Sequence, residues 1–212
     1  MALSLTAQPA VEPVSLSDAK AWLRAGHGDE DALIGDLIAS ARARVEAETG
    51  LALITQSWRW TLDAWPSRRL SAGGQAVSLP LRPLISVEAF RTFNADGAAT
   101  VHDPAEYRIE PGEPGRLIAV LPFALPQPER AAGGIEIELT AGFGAAGEDV
   151  PAPLREAILR LVADAYSNVE RAESARRGEG GLPDGVEALL RPWRRVRLLA
   201  LKLRFKPPCL IV

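Results

Sequence analysis

The residues able to do chemistry are few in this sequence, and their spacing argues against most reactions. One cysteine, Cys209, and two histidines, His27 and His102, exclude an internal disulfide framework and leave too few soft ligands for a Cys/His zinc site. His27 stands between two glycines with no cysteine or second histidine near it, and reads as a loop residue. Asp29, Glu30 and Asp31 have the side chains of a divalent-cation site, but three acids at that point are also what a helix N-terminus attracts. Gly142-Phe143-Gly144-Ala145-Ala146-Gly147 matches G-x-G-x-x-G. Two acids and two prolines follow before helical periodicity resumes, so no helix opens inside the glycine turn as pyrophosphate binding requires. We read it as a loop leaving a strand. No G-x-S-x-G, H-E-x-x-H or phosphate-loop string occurs. The expectation is a protein that is not an enzyme, with no catalytic, cofactor-binding or metal-binding residues.

The C-terminal region is the most informative. Arg191, Arg194, Arg195, Arg197, Lys202, Arg204 and Lys206 place seven positive charges within sixteen residues without an acid. Leu201, Leu203 and Phe205 alternate with the last three, the period of an amphipathic strand. Such a strand can serve as an edge of the protein's own sheet, or add to a sheet of another chain. In the second case main-chain bonds supply affinity and alternate side chains fill pockets. Direct phosphate contact is a third use, unspecific because no stacking aromatics accompany the cations. Cys209-Leu210-Ile211-Val212 fits a prenylation box, but valine is an unusual last residue for one and nothing upstream resembles a GTPase phosphate loop. An apolar end that docks on protein is the simpler reading.

Helices and strands must position these residues. Ser15-Leu16-Ser17-Asp18 has capping-box spacing and opens a short helix over 16–25. Leu33, Ile34, Leu37, Ile38, Ala41 and Val45 form the stripe of a longer helix ending at Gly50. From residue 51 the period shortens: Trp58, Trp60 and Leu62 alternate with Arg59, Thr61 and Asp63. Strand-like runs follow at 76–81, 85–93, 106–110, 116–121 and 134–141, broken by glycine- and proline-rich turns. Pro151 and Pro153 then start a helix over about 152–173, and Asp184 with Glu187 suggests a second capping box before a last short helix bent at Pro192. The expected fold is therefore α+β, a helical bundle of about four helices interrupted by a small antiparallel β insertion, with an extended C-terminal tail. Residues 1–50 form an extended leader and two helices, 51–147 the β insertion, 148–197 the C-terminal helices and 198–212 the tail.

Composition narrows the remaining functions. The 212 residues are 47% apolar and 24% charged, enough for a sizeable core. With 24 basic and 27 acidic residues the net charge is −3, so the chain lacks the overall positive field of a protein that coats nucleic acid. No stretch reaches the roughly 18–20 apolar residues of a membrane span, and the start lacks the basic and apolar regions of a secretory signal. No membrane partner is expected, and synthesis belongs in the cytoplasm.

The order of elements resembles the head-tail connector, or adaptor, proteins of tailed bacteriophages and gene transfer agents. The likeness runs over about residues 10–197. It is carried by Glu12-Pro13-Val14-Ser15-Leu16-Ser17-Asp18-Ala19-Lys20, by the helix from Asp29 to Gly50 and by Leu53-Ile54-Thr55-Gln56-Ser57-Trp58. Pro104-Ala105-Glu106-Tyr107-Arg108-Ile109, Ala141-Gly142-Phe143-Gly144, the segment from Val150 to Ile158 and Gly185-Val186-Glu187-Ala188-Leu189-Leu190 continue it. The resemblance implies a structural ring, expected to be twelve-fold, beneath a portal protein. Its other neighbour would be the next tail component, a stopper or tail terminator, and DNA would pass through without sequence-specific binding. Such a protein works in a virion or phage-like particle of infectious, prophage or gene-transfer type, assembled in the bacterial cytoplasm. The tail is the departure from the family pattern. On this reading Leu201, Lys202, Leu203, Arg204, Phe205 and Lys206 bind the portal, and Arg191, Arg194, Arg195 and Arg197 are channel or interface charges. The competing function is a DNA-binding accessory protein that uses the arginine-rich C-terminus.

Overall fold

A computed structural model describes residues 1–26, 28–66, 69–71, 74–111, 114–120, 124–170 and 182–194. The chain is mixed α+β: four α-helices and two antiparallel sheets among the described residues. In chain order the strands are β1 (Ala2–Ala7), β2 (Gln56–Leu62), β3 (Arg69–Ser71), β4 (Gly74–Ser78), β5 (Leu84–Phe93), β6 (Ala99–Val101), β7 (Tyr107–Glu110), β8 (Arg116–Ala119) and β9 (Ile135–Ala141). The helices are α1 (Leu16–Leu23), α2 (Asp31–Thr49), α3 (Ala152–Glu170) and α4 (Asp184–Leu190), the last running into a 3₁₀ turn at Arg191–Trp193.

The helices start and stop where local chemistry requires. Ser15 is the N-cap of α1, its Oγ accepting from the Asp18 main-chain N–H at 3.1 Å. Gly50 ends α2 in the left-handed conformation at φ +69°, its N–H bonded to the Glu46 carbonyl. The acids at the start of α2 stand at its N-terminus as expected, Asp31 in the first turn and Glu30 at the N-cap position, and they also make contacts to other helices. The N-cap, Glu30, makes no side-chain cap bond; its carboxylate accepts from the Tyr166 hydroxyl of α3 at 2.6 Å, and Asp31 accepts from Lys20 of α1 at 2.5 Å. These acids tie the start of α2 to its neighbours. The second expected capping box is corrected. Pro183 occupies the N-cap of α4, where it has no side-chain acceptor to offer, and Glu187 accepts from Arg194 instead.

Ile34, Ile38, Ala41 and Val45 of α2 meet Leu154, Ala157, Ile158, Leu161 and Val162 of α3 in one apolar cluster, closed by Ala19 from α1 and by Val186 and Leu190 from α4. Burying each of the larger side chains contributes roughly 1.5–3 kcal/mol. This pooling explains why α1 and α4, at 8 and 7 residues, hold as helices that would not form alone.

The β part is larger than a single small sheet. One sheet has five strands in the order β1-β2-β9-β5-β6, and a second has four in the order β3-β4-β8-β7. The register of the central strand sorts its two faces. Ile135, Ile137 and Leu139 of β9 lie between Leu62, Trp60 and Trp58 of β2 on one side and Thr92, Phe90 and Val87 of β5 on the other. That face joins Val77, Leu79, Leu117 and Ala119 in a second apolar cluster. The alternate residues, Glu136, Glu138 and Thr140, project to the opposite, polar face. The leader is extended, as its sequence suggests, but it also pairs: Ala2–Ala7 adds a fifth, edge strand against β2, all of it exposed.

Candidate interaction surfaces

Three places in the fold can act on another molecule. The first is the end of α4. Arg191 is exposed in the 3₁₀ turn, whereas Arg194 is engaged within the chain, donating to Glu48 of α2 at 2.8 Å and to Glu187 of α4 at 2.9 Å. Arg82 approaches the same point from the β part. It is 7% exposed, and its Nη2 donates to the Thr49 carbonyl at 2.9 Å and to the Trp193 carbonyl. The Trp193 ring meets Phe143 edge-on, with centroids 6.0 Å apart. Of the four arginines named as channel or interface charges, Arg191 is therefore free to face a partner and Arg194 is used as a clamp. Arg195 and Arg197 lie outside the described residues. So do Leu201, Lys202, Leu203, Arg204, Phe205 and Lys206, together with His27 and Cys209.

The second place is the polar face of the five-stranded sheet. Arg59 stands opposite Glu138 and Arg91 opposite Glu136, with N–O distances of 2.8 Å in both pairs. Diagonal contacts at 3.4 and 3.0 Å complete the network. The hydrogen bonds from Arg91 and then Arg59 hold the Glu138 carboxyl below the usual glutamate range, and Glu138 in turn raises both guanidinium groups. A face neutralised in this way offers DNA phosphates little net attraction.

The third is a groove of about 570 Å³ between the β1 edge and α2, lined mainly by Leu3, Leu5, Trp58, Leu81, Ala43 and Ala47. Glu46 sits at its base as a hub. Its carboxylate accepts from the Leu53 main-chain N–H at 2.9 Å, from Gln56 Nε2 at 2.7 Å and from Arg42 Nη1 at 3.0 Å. Sequence reading did not foresee this groove, although the alternation of Leu3 and Leu5 with Ser4 and Thr6 was the available signal.

Among the described residues no group of three His, Cys, Asp or Glu side chains is placed to hold a metal ion, and no helix is long and apolar enough to cross a membrane. His102 packs on the Phe90 ring with centroids 4.5 Å apart and bonds Thr92 Oγ1 through Nε2 at 2.8 Å. Gly142 leaves β9 with φ +150° against the main chain of Ile54 and Thr55, and α3 does not begin until Ala152. The glycine run is thus a strand exit and not a nucleotide turn.

No protein-family model matches the chain, and no curated protein matches it. Solved structures do. A chain in the neck of an empty gene transfer agent particle, computed with C6 symmetry, is 31% identical, with a TM-score of 0.76 over 94% of this chain and 98% of that one. A chain in the virion of a native gene transfer agent particle gives 31% identity and a TM-score of 0.75 over the same shares. A chain in the neck of a native particle, computed with C12 symmetry, gives 32% and 0.69, again over 94% and 98%. Identity at this level, sustained over helices, both sheets and nearly the full length of both chains, shows common descent: this chain belongs to the family of gene transfer agent neck proteins.

Proposed function

We propose that copies of this protein form a ring, twelve-fold, in the neck of a phage-like particle, joining the portal to the next tail component around a passage for DNA. Its place is the particle, and its role is structural. The observation that carries this reading is the 31% identity over 98% of a neck chain, together with necks computed at C6 and C12 symmetry. Closed rings of identical chains need two different lateral surfaces on each subunit, and a body made of helices on one side and a two-sheet unit on the other supplies them. In this reading the helices form a bundle on which the β unit is set, DNA passes without base-specific contact, and no cofactor or membrane takes part.

The tail reaches the portal. Leu201, Leu203 and Phe205 face inward as an added strand, with Lys202, Arg204 and Lys206 outward, while Arg191, Arg195 and Arg197 serve at the interface or channel. Deleting residues 199–212 and measuring binding to portal-containing heads tests the assignment. Loss of binding is expected, and undiminished binding removes the tail from the joint. The salt dependence of DNA binding tests the competing role. A phosphate-binding accessory protein loses affinity steeply as salt rises, whereas the ring component binds free DNA weakly throughout.

A further inference from the structure

The groove between β1 and α2 is open in the folded body, and its construction calls for an extended occupant. Among the described residues β1 is an outer strand, whose main-chain groups on the side away from β2 have no ladder partner. Leu3 and Leu5 pair with Trp60 and Trp58 and therefore share their face of the sheet, with Leu5 and Trp58 both lining the groove beside Leu81 and the small residues Ala43 and Ala47. A strand added at that edge pairs the outer main-chain groups of β1 and sets its alternate side chains beside Leu3 and Leu5 over the groove.

The chain itself carries a segment of the right kind, with enough chain before it to reach. Arg194 is bonded to Glu48 on the last turn of α2, and the same turn, through Ala47 and Gly50, forms a wall of the groove. Leu201 comes seven residues later in the sequence, a reach of roughly 23 Å, about twice the width of the helix that separates the two points. The alternating run Leu201–Lys206 has six residues, the same number as β1. Charge agrees: residues 195–212 hold five bases and no acid, whereas residues 1–194 hold 27 acids and 19 bases.

We propose that in the free protein residues 201–206 lie along the open edge of β1 of their own chain, with Leu201, Leu203 and Phe205 in the groove beside Leu5 and Trp58. This does not depend on which partner takes the tail.

The single cysteine supplies the test. Cys209, three residues past Lys206, is coupled to a benzophenone maleimide in the full-length protein, and the photo-crosslinks are mapped by mass spectrometry. The expected product is a monomer-mass adduct joining Cys209 to peptides within 1–8 or 42–58. In parallel, hydrogen exchange of residues 2–7 is compared between the parent chain and Leu203→Asp, a substitution outside the described residues. The variant should exchange these amides about tenfold faster with the remaining sheet unchanged. Crosslinks outside the groove, crosslinks only at dimer mass, or equal exchange in the two proteins would overturn the proposal. Head binding by Leu203→Asp is scored separately. Loss of that binding without any change at β1 rejects self-docking and leaves the portal assignment standing.

Discussion

Arg82 and Trp193 lie 111 residues apart in the sequence and are joined by a hydrogen bond from the guanidinium Nη2 to the tryptophan carbonyl. The same Nη2 also donates to the Thr49 carbonyl at the end of α2, so one buried cation fastens the β part to two helix ends. Carbonyls at helix C-termini lack intrahelical donors, which is why a cation is favourable at this point. Arg82→Met should keep the packing volume and lose both bonds, lowering stability by about 3 kcal/mol in denaturant unfolding. Arg82→Lys, which retains charge without the planar fork, should fall between.

Acid should weaken the five-stranded sheet through Glu138. Its folded-state carboxyl is held below the glutamate value by Arg91 and Arg59, so the stabilisation is complete above the unfolded value of about 4.3 and is lost as pH falls through the lower folded one. Glu138→Gln should reduce stability at neutral pH and flatten the decline below pH ~4. Melting temperature against pH for the two proteins checks both parts.

Gly142→Ala should be among the most damaging small substitutions. A Cβ there would stand 2.5 Å from the Thr55 nitrogen and 2.6 Å from the Ile54 carbonyl carbon, and the residue adopts φ +150°. Neither main-chain atom can swing aside, so a loss of about 3 kcal/mol or more is expected, read as a lower melting temperature and reduced soluble yield.

Ser15→Ala removes the α1 cap and leaves the Asp18 N–H without its acceptor, for an expected cost of about 1 kcal/mol. Ser15→Asp should restore most of it, since a carboxylate both caps and meets the helix dipole favourably. Thermal unfolding of the three proteins distinguishes the outcomes.

Much of this architecture can be read in the residues, and what cannot has identifiable causes. The stripes of α2 and α3 are long and periodic, and Trp58-Arg59-Trp60-Thr61-Leu62 alternates cleanly, so those elements stand out before any coordinates. Division of the strands into two sheets is invisible locally, because it depends on pairings such as Tyr107 with Ala119 and Leu62 with Ile135, which periodicity does not encode. The role of β1 was hidden by length: six residues without turn signals look like any extended leader. Capping boxes misled at Asp184 because a four-residue spacing cannot reveal where the helix begins, and Pro183 takes that position. The Arg82 latch gave no signal, since a lone arginine before a proline has no distinguishing neighbours. The cationic cluster around Arg191 and Arg194 was evident from composition, but pairing decides its use, and Glu48 and Glu187 claim Arg194.

The chain departs from its helices and comes back to them at almost the same spot: the Thr55 N–H bonds the Gly144 carbonyl at 2.9 Å and the Phe143 N–H bonds the Leu53 carbonyl at 3.2 Å. Everything between is a cassette whose two ends touch. A graft in its place would have to keep the seat on which Ala2–Ala7 is laid and the Arg82 bonds to the helix ends, so the outer turns are free to change length while the margin facing the helices is not.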